Sequence, residues 1–593
     1  MKKLLILEAP VSHKPSDDTH VFSFVVNEAD SFPEDYLHEE EAEAFYNETY
    51  DAVCGSLKNH ALKDLFSYRG VDLLWCFKKL LFDYAHFSRL RYETLKRVVA
   101  EHQVGQIDLT EKSENPELPF LHQILQASPL KDSFRFYAAK EEEGEIAKRR
   151  RKRRDWESFY WPSCLRRGEI GSRQVAIFSD LRKSKSIVKL LKPHGCVFVS
   201  NAPSPRSLVG CIGLKTAFFQ FVFNGRQARE YGRKREEYLT RLRGGQIFSN
   251  LYFGDLDGQK LLGPRLEELF ESTLAQLFFE IDSAHRFFQE ARSVKSLLLD
   301  EDVLPSKNAF CQVARQYGVA SFVECHGSVG HKIGFLPLTA DRIFVWGRAQ
   351  KGKLVQWGCP GERIIVSGCS RYRPYQALEG KEVKAKVAKR LKLDPSKKIV
   401  LAAPTPVPSR RFLWEKTMVK ANWEMLDALR SVTHETNSQF VIKIHPRDQR
   451  LGEYREWVQS QKLADRGVVI REFDSLLLTK AVDLVIVYSS TFAIDAFAMG
   501  KPVICVCGDP DPWLEEFREF GVFHYVANRD ELERIMRIIL QGGEAKSPFW
   551  EEGRRECLNE REAAPEETIV RHLLGGILKN RVPTEAQPAG FSR

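Results

Sequence analysis

From about residue 171 onward, apolar residues come in short β-branched runs separated by longer stretches where they recur at helical spacing. The first series of runs is Val175–Phe178, Cys196–Ser200, Ser296–Leu299, Ala320–Val323, Ile343–Trp346 and Ile364–Ser367, with a long helical region over Pro264–Arg292. After a short link near Arg371–Glu382 a second series follows: Ile399–Ala402, Phe440–Ile444, Val468–Ile470, Leu484–Val487 and Val503–Val506. Short apolar runs fit strands of a parallel sheet buried on both faces, and their alternation with helices predicts doubly wound sheets. The expected fold class is therefore α/β. Two Rossmann-type domains, 171–372 and 373–580, face a cleft, and ligands of such sheets bind at the carboxyl ends of the strands. Residues 1–140, with the strand Leu4–Leu7 and a helical pattern over Leu73–Val99, read as an accessory α/β segment. Residues 141–170 read as a charged and aromatic linker, and 581–593 as a flexible tail.

A length of 593 residues agrees with several domains, and 43% hydrophobic content is globular. The formal charge of +9 is modest for this size and gives no case for a nucleic-acid partner. No run of apolar residues is long enough for a signal-peptide core or a membrane span, so a cytoplasmic chain is expected. Twelve cysteines without a CxxC pair read as reduced core thiols, and no metal is called for. The basic run Lys148–Arg154, followed by Trp156, Phe159, Tyr160 and Trp161, is either a solvated charge block or a peripheral anchor to an anionic membrane.

The unit from Val482 to Val506 predicts strand, hydroxyl-rich turn, short helix and strand. Ser489 or Ser490 would cap the helix, where free N–H groups suit a phosphate. Thr491 and Asp495, four residues apart, share a helix face, so a hydroxyl near phosphate and a carboxylate near ribose is expected; the alternative is a plain cap and a solvated acid. The strand Phe440–Ile444 runs into His445-Pro446-Arg447, which places His445 at a strand's carboxyl end. Lys443 lies on the same strand face, and Arg447 is a further phosphate ligand candidate. In the first domain His326, followed by Gly327, also ends a strand and is the candidate general base for an acceptor hydroxyl. Asp300, Glu301 and Asp302 offer an alternative base, with one of them free to act only as a helix cap. A glycine-rich phosphate loop is lacking, which argues against a dinucleotide oxidoreductase and a P-loop ATPase.

His326-Gly327, His445-Pro446, and Ser489-Ser490 with Asp495 downstream resemble, in their order, the GT-B type glycosyltransferases of bacterial surface-polysaccharide assembly. That group includes capsule Kdo transferases, polysialyltransferases and CDP-glycerol glycerophosphotransferases. The stretch Ala340–Gly368 is also similar to the segment leading into their interdomain hinge, and the likeness spans about residues 296–510. It implies a GT-B-like pair of domains and a metal-independent transfer without cofactor, in which a nucleotide-sugar donor supplies a sugar to a glycan or lipid-linked acceptor. It further implies that His445 and the Ser489/Ser490 turn bind the donor phosphate and that an acid at position 495 holds the ribose. Several relatives carry Glu where this chain has Asp495. Val487 stands where glycerophosphotransferases usually carry an acid, which favours sugar transfer over CDP-polyol phosphate transfer. A hydrolysing UDP-sugar 2-epimerase on the same fold and a membrane-associated, catalytically silent scaffold are the other expectations.

Overall fold

A computed structural model describes residues 2–7, 19–24, 29, 31–111, 121–132, 134–138, 164–201, 214, 216–406, 415–448, 450–488, 490–507, 514–559 and 564–578. The basic run Lys148–Arg154, Ser489 and the tail 581–593 lie outside the described residues.

Among the described residues three sheets carry the architecture. The N-terminal one is four-stranded and parallel, built from β1 (Lys2–Leu7), β2 (Thr19–Ser23), β3 (Val104–Glu111) and β4 (Phe134–Ala138) in the order β2-β1-β3-β4. The second contains β5 (Cys164–Arg167), β6 (Val175–Phe178), β7 (Cys196–Ser200), β8 (Ala217–Phe221), β9 (Ser296–Leu299), β10 (Ala320–Glu324), β11 (Arg342–Val345) and β12 (Ile364–Val366). Its order is β12-β11-β10-β9-β6-β7-β8-β5, parallel except for the edge strand β5. The third holds β13 (Ile399–Ala403), β14 (Gln439–Lys443), β15 (Gly467–Ile470), β16 (Leu484–Val487), β17 (Val503–Cys505) and β18 (His524–Tyr525) in the order β15-β14-β13-β16-β17-β18, all parallel.

Both large sheets are doubly wound, as the alternation of apolar runs requires. Every residue of β6, β9 and β16 is buried, because helices cover both faces. Among the parallel strands of each sheet the order reverses direction once, between β6 and β9 in the first and between β13 and β16 in the second. There adjacent crossovers leave to opposite faces and open a crevice at the carboxyl ends. Asp300 follows β9, and Tyr488 to Ser490 follow β16, so both expected sites begin at these reversals.

Two parts of the chain sit elsewhere than the sequence pattern places them. The helix Pro565–Leu578, read with the second domain, packs on the first: Ile569, Val570 and Leu573 join Val175, Leu298 and Phe322 in one core. The Ser296 hydroxyl donates to the Leu573 carbonyl at 2.7 Å. Residues read as linker contribute β5, which pairs antiparallel with β8. The N-terminal unit shares a continuous core with the first large sheet, through Leu73, Leu74 and Phe77 against Phe270, Phe310 and Cys311. Among the described residues no helix is long and apolar enough to cross a membrane.

Candidate active site

On the first sheet, β10 ends at Glu324 and the chain turns through Cys325, His326 and Gly327. The Cys325 N–H donates to the Phe344 carbonyl at 2.8 Å, and the Trp346 indole N–H donates to the Cys325 carbonyl at 3.1 Å. These bonds fix the turn, and the His326 ring stands exposed, stacked on Phe335 with centroids 4.9 Å apart. A small pocket beside it is lined by Asp300, Glu324, Cys325, His326, Trp346, Cys369 and Arg371.

The three acids after β9 separate by environment. Asp302 is buried, and its Oδ2 accepts from the Thr339 and Ala340 N–H groups at 2.6 and 2.7 Å. That carboxylate holds a loop. Glu301 accepts from the Val303 and Leu304 N–H groups at 3.1 and 2.9 Å, in the turn ahead of the helix Pro305–Gln316, whose N-cap Leu304 has no side-chain cap bond. Asp300 alone lines the pocket, ion-paired with Lys307. His326 and Asp300 are therefore brought together, while Glu301 and Asp302 are engaged by backbone.

On the second sheet, Lys443 ends β14 and His445 follows two residues later. The Arg447 N–H donates to His445 Nδ1 at 3.1 Å, so a neutral ring carries its proton on Nε2. Burial pulls the Lys443 ammonium below its ordinary pKa, against the charges of Glu472 and Asp495. Arg447 is exposed. Ser490 Oγ accepts from the Phe492 N–H, the first amide of the short helix Phe492–Ala498, at 3.2 Å; the N-cap is the exposed Thr491, without a side-chain cap bond.

Asp495, the expected ribose contact, is engaged by groups of the chain itself. Its Oδ1 accepts from Arg371 Nη2 at 2.8 Å and from the Tyr372 hydroxyl at 2.9 Å. Burial pushes this carboxyl above its ordinary range, with Arg371 and the Tyr372 hydroxyl pulling the other way. Thr491 and Asp495 do not share an environment: the helix turns one to solvent and the other to the interdomain connection. Arg371 and Tyr372 fall in the segment read only as a link. Arg371 lines the His326 pocket and also binds Asp495, so one guanidinium joins the two halves of the site. The sequence signal is its position, an arginine and tyrosine within six residues of the end of the first domain's last strand.

Residues 416–510 match the family of capsule polysaccharide biosynthesis proteins. The expected likeness to proteins of capsule polysaccharide assembly is borne out over that segment, which contains Lys443, His445, Arg447, Ser489, Ser490, Thr491 and Asp495. No curated protein matches the sequence significantly. Among solved structures the chain is similar to a UDP-N-acetylglucosamine 2-epimerase at 13% identity, over 72% of this chain and 100% of that one, with a TM-score of 0.45. It is also similar to the UDP-GlcNAc 2-epimerase of Methanocaldococcus jannaschii, at 13% identity over 68% and 99% with a TM-score of 0.45. A third similar structure is the Neisseria meningitidis UDP-GlcNAc 2-epimerase bound to UDP-GlcNAc, at 14% identity over 68% and 100% with a TM-score of 0.41. These likenesses carry no residue role into the capsule-biosynthesis segment.

Proposed function

We propose that the chain is a glycosyltransferase that moves a sugar from a nucleotide-activated donor to a surface polysaccharide or a lipid-linked glycan. The observation that carries this reading is that the capsule-biosynthesis match falls on the half of the cleft bearing Lys443, His445 and Ser490. These are groups suited to an anionic leaving group. Lys443 supplies positive charge, and the Nε2 proton of His445 a hydrogen bond, to a diphosphate or monophosphate as the glycosidic bond to it breaks. Across the pocket His326, or Asp300 beside it, takes the proton of the acceptor hydroxyl as that oxygen bonds to the anomeric carbon. Arg371 spans the two sets and would fix the distance between donor and acceptor.

The test is thermal stabilisation by CMP, CDP, UDP and GDP, run beside the His445→Ala variant, followed by product analysis with the sugar form of the nucleotide that binds. A shift with one nucleotide that is lost in the variant, and a lengthened glycan as product, is the expected result. A phosphodiester product would instead mean polyol-phosphate transfer, and a free epimerised sugar would mean hydrolytic epimerisation. No shift with any nucleotide overturns the transferase and leaves the scaffold reading. The Lys148–Arg154 run is tested separately, by salt-sensitive co-sedimentation with anionic vesicles.

A further inference from the structure

The helix Glu39–Ser56 of the N-terminal unit touches the loop that follows His326, and we propose that Tyr46 is a positioning residue for His326. This rests on the reading of His326 as the acceptor-side base. Tyr46 projects from the helix Glu39–Ser56, and its ring lies edge-on to Phe82 and His86 of the helix Lys78–Glu101, at 4.9 and 5.2 Å between centroids. Those contacts fix the ring. Its hydroxyl oxygen accepts from the Ile333 N–H at 2.8 Å, and its other face stacks against His331 at 5.5 Å. One turn of the same helix further on, Tyr50 lies under the Lys332 ammonium, 4.3 Å from its ring centre.

Ile333 belongs to the 3-10 turn Lys332–Gly334, which is closed by the Phe335 N–H donating to the Lys332 carbonyl at 3.1 Å. Phe335 is buried, and its ring is the wall on which His326 stacks, with 11° between the planes. The path is therefore short: Tyr46 hydroxyl, Ile333 amide, turn, Phe335 ring, His326 imidazole. Loss of the hydroxyl frees the turn to rock, and a stacked imidazole follows its partner ring. Proton transfer demands hydrogen-bond reach between base and hydroxyl, so a small tilt lowers turnover without touching the donor contacts in the other domain.

Tyr46→Phe removes the oxygen and keeps the ring packing. Its turnover is expected to fall about three- to tenfold, the effect of one lost neutral hydrogen bond, with an unchanged KM for the nucleotide sugar. The readout independent of activity is the ring resonance of His326 in protein carrying 13C-labelled histidine, assigned by its absence in His326→Gln. It should shift or broaden in Tyr46→Phe, and more so in Phe335→Leu, with thermal unfolding confirming that both variants fold. An unmoved resonance in Tyr46→Phe, whatever Phe335→Leu does, or a moved resonance with full turnover in Tyr46→Phe, overturns the proposal. If the wild-type chain transfers no sugar, the function proposed above fails by its own assay, and the resonance still decides whether Tyr46 sets the position of His326.

Discussion

Arg371 Nη2 donates to Asp495 Oδ1 at 2.8 Å, tying a residue five positions beyond the first domain's last strand to a helix of the second domain. The Asp495 side chain is only 14% exposed, and Tyr372 donates to the same oxygen. A carboxylate so occupied holds the domains in register, and a sugar hydroxyl would have to compete with two donors already in place.

Asp495→Asn discriminates between the two roles. As an interdomain tie, the change leaves Arg371 partly buried without its counter-charge and should cost about 2–3 kcal/mol of stability, with the donor KM of the folded fraction little altered. As a ribose ligand, it would raise the donor KM and spare stability. Thermal unfolding and steady-state kinetics on one preparation separate them, and a raised KM at unchanged melting temperature would sink the tie.

That residue also shows what the sequence could and could not reveal. The strand runs were legible because a parallel strand buried on both faces leaves an unbroken apolar signature, and β6, β9 and β16 begin and end where Val175–Phe178, Ser296–Leu299 and Leu484–Val487 predict. The short edge strand β18 was not read, since two residues carry too little pattern, and neither was β5, whose sequence CLRR is half charged. Strand-end histidines were found because proline and glycine punctuate them. The environment of Asp495 was hidden, because helical spacing sets the direction of a side chain on its own helix but not what another part of the chain brings against it. Likewise Asp300, Glu301 and Asp302 are alike in sequence and are distinguished only by the amides and the lysine that the fold delivers to each.

Glu516 offers a second interdomain test. Its Oε1 accepts from the Ser328 hydroxyl at 2.8 Å and the Val329 N–H at 3.2 Å, two residues beyond His326, and the side chain is 2% exposed. Burial raises its pKa, with the Lys353 ammonium opposing. Glu516→Ala strands two buried donors and should lose about 2–3 kcal/mol, whereas Glu516→Gln keeps an accepting oxygen and should lose less than about 1 kcal/mol. Equal losses in the two variants would show that the hydrogen bonds to the histidine loop are not what Glu516 contributes.

Gly347 begins the helix Arg348–Gln356 where it meets the helix Trp550–Leu558. A Cβ there would lie 2.1 Å from the Glu556 carbonyl oxygen and 2.4 Å from the Cys557 carbonyl carbon, both backbone atoms that cannot rotate away. Gly347→Ala should therefore force the helices apart, at about 2–3 kcal/mol. The control is Gly352→Ala in the same helix, where the added methyl meets nothing within 4 Å and removes backbone freedom from the unfolded chain. It should stabilise by about 0.5–1 kcal/mol. Opposite signs in the two variants' melting temperatures are expected, and a neutral Gly347→Ala would contradict the close packing of the two helices.

His86 makes stability depend on pH. Its ring stacks on Phe82 with centroids 5.5 Å apart, its Nδ1 is buried without a hydrogen-bond partner, and burial with the nearby Arg89 charge lowers its pKa to about 3. Folded protein thus keeps the ring neutral where the unfolded chain, with an ordinary histidine, takes up a proton. The unfolded state binds more protons between about pH 6.5 and 3, so stability contributed here is intact above that window and falls as the pH drops through it. His86→Leu removes the titration and a stranded polar atom together. At pH 7 the variant should equal or slightly exceed the wild type, and at pH 5 its advantage should grow by about 1–2 kcal/mol. Urea unfolding of both proteins at the two pH values measures the difference. A gap that stays constant between pH 7 and pH 5 would mean that His86 takes up its proton as readily in the folded chain as in the unfolded one, and the packing against Tyr46 would then have to admit a charge.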